Sequence, residues 1–228
     1  MKFLLAALLL AITYLGWRHW RKTAQARYLD DFPLHKLLDR RLAARRPELD
    51  AAQRATVLDG LREYFLFCRQ AGRRMVAMPS QAADDAWHEF ILFTRQYDAF
   101  CRQAFGRFLH HTPAEAMRSP TQASEGLRRA WRLACAHEGI DRNKPDRLPR
   151  LFALDAHLGI AGGFAYQLDC MAARQGGDAS GYCASHIGCS SGYGGGGGSG
   201  CSGDSDSGYS GSDSGSSGCG GGCGGGGD

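Results

Sequence analysis

From Ser190 to Asp228 the chain carries 19 of its 32 glycines and no Lys or Arg, and this stretch sets where folding can happen. Gly, Ser, Asp and Cys at that density bury too little apolar area to offset the entropy of ordering them. Residues 190–228 therefore read as a disordered Gly/Ser/Cys-rich tail, and any packed core comes from the residues before it. Charge divides along the same line. Residues 1–189 hold 27 basic and 19 acidic residues, or +8, while the tail holds four Asp and no base. That leaves a basic folded part with an acidic appendage.

Within the folded part the apolar residues recur at helical spacing, and no run alternates with period two over a strand's length. "FPLHKLLDRRLAARRPELD" predicts a short helix over 34–45, stopped by Pro47. "PELDAAQRATVLDGLREYFLFCRQAG" predicts a longer one over 48–71, with Val57, Leu61, Tyr64, Phe65 and Cys68 on one face and Gly72 as the stop. A third starts at the N-cap Ser80, with Asp84 and Asp85 in its first turn, and runs to Phe105 before Gly106. "TQASEGLRRAWRLACAHEGI" gives a fourth, with Leu127, Ala130, Trp131, Ala134 and Cys135 inward; "LPRLFALDAHLGI" gives a fifth. The expected fold is all-α: a compact domain of about five helices over residues 33–175.

The N-terminus, "MKFLLAALLLAITYLGWRHWRK", is apolar from Phe3 to Trp17. About 20 apolar residues span a bilayer, and Trp17 and Trp20 suit its interface. Residues 1–20 are expected to form a transmembrane anchor and residues 21–32 a basic linker. The rival is a cleaved signal peptide with a site in "TAQA" (23–26), but Arg18, Arg21 and Lys22 crowd the region where charge is disfavoured. Only Lys2 precedes the span, whereas Arg18, Arg21, Lys22 and Arg27 follow it, which directs the bulk of the chain to the cytoplasm as a single-pass protein of the inner (plasma) membrane. Lys36, Arg40, Arg41, Arg45 and Arg46 either touch anionic headgroups or form a solvated face.

The densest chemistry lies in "DDAWHEFILFTRQYDAFCRQAFGRFLHHTP" (84–113). On a helical wheel, Ala83, Trp87, Phe90, Ile91, Thr94, Tyr97, Cys101 and Phe105 share one side, which reads as core. Asp84, His88 and Arg95 line its flank. Asp84 and His88, four residues apart, suit a carboxylate steadying an imidazole or two ligands of one metal. On one unbroken helix, however, His88 and Cys101 lie about 20 Å apart, and His110 follows the helix end too closely to return. Two separate places are expected, Asp84/His88 at one end and Cys101/His110/His111 at the other, unless the helix breaks. His88-Glu89 lacks the second His of a zinc-protease motif, and neither a P-loop nor a Ser/His/Asp nucleophile context occurs.

The stretch "PSQAADDAWHEFILFTRQYDAFCRQAFGRFLHHTP" resembles the signature of the glycine-rich domain-containing protein-like family, a domain of unknown function in bacteria, plants and fungi, in the form of its bacterial members. The resemblance rests on Pro79, Ser80, Asp84, Trp87, His88, Ile91, Thr94, Tyr97, Phe100, Cys101, Phe105, Gly106, His110, His111 and Pro113. It implies a helical fold and no activity or substrate, and the anchor is not part of it.

Nine cysteines is an odd count, and a cytoplasmic body keeps them reduced. Cys68, Cys101 and Cys135 fall on apolar helix faces as small hydrophobes. Cys170, Cys183, His186 and Cys189, in a segment at 176–189 and just before it, match structural zinc in number and type but follow no common finger spacing. The reading that follows is a non-catalytic interaction or scaffold module, held at a membrane and presenting a flexible tail to a protein partner. Two alternatives stand beside it: a zinc protein or small metalloenzyme using the His, Asp and Cys positions, and a precursor whose Gly/Ser/Cys-rich tail is modified to azoles. Zinc is the one cofactor these positions suit, and no known reading motif supports nucleic-acid binding.

Overall fold

The computed structural model describes residues 2–111, 120–168, 182–183 and 187. Among the described residues seven helices follow in order: α1 (Lys2–Asp31), α2 (Leu34–Arg45), α3 (Ala51–Ala71), α4 (Gln81–Ile91), α5 (Thr94–Phe105), α6 (Pro120–Glu138) and α7 (Arg150–Leu158). The fold is all-α, apart from a two-residue parallel pairing of Tyr166–Gln167 with Tyr182–Cys183. The tail from Ser190, and with it Cys170, His186 and Cys189, lies outside the described residues.

Helix α3 is the hub, packing on α1, α2, α4, α6 and α7. Its start is fixed by a capping box: Asp50 accepts from Gln53 N and the Gln53 side chain accepts from Asp50 N. With neighbours all round, it buries Val57, Leu58, Leu61, Tyr64, Phe65, Phe67 and Cys68 rather than a single stripe. Gly60 is where α7 comes closest, since a Cβ there would meet Leu154 Cδ2 at 2.9 Å.

Helix α1 does not end at the edge of its apolar run. It continues through the residues expected as a linker, and its last turns dock on α3 and α5. Leu29 is buried, Phe32 stacks on Phe100 at 4.7 Å, and Tyr28 lies 6.1 Å from Phe100. Arg62 of α3 closes this end, donating to the carbonyls of Leu29, Asp30 and Phe32. From Phe3 to Trp20 the large apolar side chains are exposed. Among the described residues this is the one helix long and apolar enough to cross a bilayer, a property that a signal sequence near the N-terminus shares.

Helix α2 lies against α3 and α4. Three of its basic residues, or those just after it, are committed to carboxylates of α4. Arg41 donates to Glu89 at 2.7 Å, Arg45 reaches Asp85 at 3.4 Å, and Arg46 grips Asp85 at 2.6 Å. Asp85 is 3% exposed, so these bonds give a buried carboxylate its partners rather than decorate a surface. Lys36 and Arg40 remain exposed.

The single helix expected from Ser80 to Phe105 is two helices, broken at Leu92 and Phe93. No Pro or Gly forces this; tertiary packing does. On a straight helix the rings of Phe90 and Phe100 would sit about 15 Å apart along the axis. Across the bend they meet at 5.1 Å, and Phe90 meets Tyr97 edge-on at 5.2 Å. Both halves thereby close around Phe65 and Phe32, at the cost of leaving Leu92 62% exposed on the outside of the bend. Gly106, left-handed at φ 69°, ends α5 and turns the chain back.

Candidate metal centre

The start of α4 is held from two directions. Ser80 accepts from Ala83 N as the N-cap and donates to Asp155 Oδ1 at 2.6 Å. Asp155, on α7 and 2% exposed, accepts in addition from the backbone N–H groups of Gln81, Ala82 and Phe164. A carboxylate from another helix thus satisfies orphan donors of the first turn and fixes the direction in which α4 leaves. Its cue in the sequence is an Asp on the apolar face of a short helix.

One turn further on, a buried chain of hydrogen bonds brings the distant end of the stretch home. Trp87 Nε1 donates to the Tyr97 hydroxyl at 3.0 Å, and Tyr97 donates to the carbonyl of Leu109. Both side chains sit in the core, Tyr97 at 1% exposed. Tyr97 reaches Trp87 only because α5 bends back from α4, and Leu109 reaches Tyr97 only because Gly106 reverses the chain. Two residues after Leu109, the His111 ring lies edge-on to Trp87 at 4.5 Å and 4.3 Å from the ring of His88.

Asp84, His88 and His111 therefore form one cluster, with ligand atoms all within 4.8 Å of one another. His111 Nε2 lies 2.8 Å from Asp84 Oδ1, and His88 Nδ1 lies 3.5 Å from Asp84 Oδ2. This corrects the expectation of two separate places, whose stated exception, a broken helix, is what occurs. His111 joins the first place. Cys101 is buried against Tyr97, and His110 is exposed beside Phe108. Arg95 points outward from α5 and makes no ion pair among the described residues. The partner for the Asp84/His88 pair thus comes from the end of the same stretch.

The cluster sits at the rim of the core. The His111 side chain is 11% exposed, Asp84 19% and His88 46%. Two imidazoles and one carboxylate are the donors of three-ligand zinc sites, and also the set that holds ferrous iron in facial triads. Ligands of a zinc-class ion would stand about 3.3 Å apart, and the two Asp84 contacts, 2.8 Å to His111 and 3.5 Å to His88, lie on either side of that spacing. If these three side chains held such an ion, it would lie beside the half-exposed His88 and would supply Lewis-acid chemistry there.

Cys68 and Cys135 offer no such chemistry. Burial pushes Cys68 up to about 12 and Cys135 up to about 11, so both are protonated and inert at neutral pH. Of Cys170, Cys183, His186 and Cys189, only Cys183 falls among the described residues, through its backbone pairing with Gln167.

No curated protein and no solved structure matches the chain. Residues 24–187 match the UCP032817-like family, which is uncharacterised and brings neither a glycine-rich-domain name nor a bacterial source with it. The matched span begins past the apolar run, ends before Ser190 and contains every member of the Asp84/His88/His111 cluster. On a match of that extent, the chain belongs to the UCP032817-like family.

Proposed function

We propose that the protein is a membrane-anchored metal-binding protein whose helical body holds one zinc-class divalent ion on Asp84, His88 and His111. The observation that carries this is the convergence of three ligand atoms from residues 84, 88 and 111 to within 4.8 Å, brought about by the bend between α4 and α5 and the turn of the chain at Gly106. The anchor is the exposed apolar part of α1. The apolar run, residues 3–17, rises about 22 Å, and Trp17 and Trp20 at the interface extend it toward the thickness of a bilayer's hydrocarbon core. Arg18, Arg21 and Lys22 around its end support a cytoplasmic body at the inner membrane. In this reading the motif residues 79–113 remain a version of the glycine-rich domain-containing protein-like signature, and the Gly-rich end serves as an arm for a protein partner.

Metal analysis of the full chain, purified in detergent, tests it. One zinc or iron per chain is expected, with loss in both His88→Ala and His111→Ala. Cobalt substitution is expected to give the visible bands of a low-symmetry, four- or five-coordinate site. The 2.8 Å Asp84–His111 contact favours one competing reading, a structural staple without metal. A metal-free wild type that is destabilised by His111→Ala but unaffected by added zinc would establish the staple.

A further inference from the structure

Helices α3 and α7 and the loop before α7 enclose a cleft of about 510 Å³ that none of the metal-centre residues lines. Its polar residues are sorted by depth. The side chains of Glu63 and Glu138 are 8% and 9% exposed, whereas those of Arg147 and Arg150 are 55% and 75% exposed. Carboxylates therefore form the floor and guanidinium groups the rim. Asp59 and His157 also lie on the lining, and Leu148, Leu151 and Leu154 supply an apolar wall.

The floor is not satisfied from within. Glu138 accepts from Arg150 N at 2.7 Å, but Glu63 Oε1 is buried with no hydrogen-bond partner among the described residues. The other oxygen of Glu63 has only Arg150 Nη2 at 3.8 Å, too long for a hydrogen bond. A buried acceptor left unmatched is costly, and a turn about the terminal torsion presents either oxygen to the cleft. Arg147 is already occupied by the Glu138 carbonyl and by Asp146. An anion would have to displace these contacts and then face two carboxylates. A bare metal ion would leave most of the volume and the leucine wall unused.

We propose that this cleft binds a small organic cation, a primary amine or guanidinium on a short apolar stem. The charged end lies against Glu63 and Glu138, and the stem runs along Leu148, Leu151 and Leu154 to the rim. Arg150 is a weak internal substitute for that cation, held off at 3.8 Å. Burial pushes Glu63 up to about 7, so Glu63 is mostly ionised at pH 8 and binding weakens as its carboxyl takes up a proton below 7.

Calorimetric titration of the full chain in detergent at pH 8 tests the assignment, with agmatine and 1,4-diaminobutane as probes and butyrate as the control. Saturable heat is expected with the amines and none with butyrate. Glu63→Gln should weaken amine binding about tenfold or more, since it removes a charge-assisted acceptor. Arg150→Ala, at an exposed position that leaves the backbone N–H on Glu138 intact, should strengthen it severalfold by removing the competing cation. The proposal falls if neither amine gives saturable heat, if butyrate binds in their place, or if Arg150→Ala and a folded Glu63→Gln both leave amine affinity unchanged.

Discussion

The Tyr97 hydroxyl takes a hydrogen from Trp87 and passes its own to Leu109, so Tyr97→Phe strands two buried polar groups at once. A loss of about 1–3 kcal/mol is expected in denaturant unfolding. The loop carrying His111 loses its tether in the same step, so zinc affinity should fall although no ligand has changed. If the variant melts lower but binds zinc like the parent, the loop is held by something other than this chain. Trp87→Ala removes the indole wedged between Tyr64, Phe65 and His111 and should cost about 3–5 kcal/mol. Glu63 contributes in the opposite sense. Its folded value, about 7, lies above its ordinary 4.5, so the folded chain holds a proton that the unfolded chain has released. Stability therefore falls as pH rises from about 4.5 to about 7, and levels off above that. Glu63→Gln should remove this slope and gain about 2–3 kcal/mol over wild type at pH 8. A pair of parallel pH–stability curves would show that Glu63 titrates normally.

Among the elements, α4 depends on a cap that another helix provides. Asp155→Ala empties a site accepting four hydrogen bonds from Ser80, Gln81, Ala82 and Phe164, and should cost about 3 kcal/mol in chemical unfolding. Loss near zero would mean that water takes over the cap. How much of this architecture the sequence discloses differs from element to element. Helices α2, α3, α6 and α7 are legible because each has a local apolar period and a local stop, such as Gly72 or Gly159. Ser80 is legible as an N-cap because its hydroxyl acts three residues away. The bend at Leu92 and Phe93 is not, because both residues are ordinary helix members and the break follows from Phe32 and Phe65, far off in sequence. With the bend hidden, the distance from His88 to His111 is overestimated, and Asp84, His88 and His111 fall into two places instead of one. The half of the site on α4 is readable from i,i+4 spacing, whereas the third ligand is fixed by long-range contacts. The docked end of α1 is hidden for a similar reason: Leu29 and Phe32 follow a basic run that looks like a linker.

On the scale of the whole molecule, α1 serves two purposes along one helical rod. Its first 20 or so residues show apolar side chains to their surroundings, and its last turns complete the core. The two roles should separate on truncation. A chain starting at residue 23 keeps Tyr28, Leu29 and Phe32, together with the three carbonyls that Arg62 grips, and sheds the exposed apolar run. It is expected to leave the membrane fraction and to melt cooperatively without detergent. A chain starting at residue 33 loses the Phe32 contacts with Phe90 and Phe100, uncovers Phe100, and leaves the Arg62 guanidinium without its acceptors. Removing an aromatic wedge and stranding a charge in the same place exceeds the margin of a domain of ordinary stability, about 5–15 kcal/mol, or comes close to it. This second chain should aggregate or lack a cooperative transition by circular dichroism. Equal stability of the two chains would show that the end of α1 merely rests on the body.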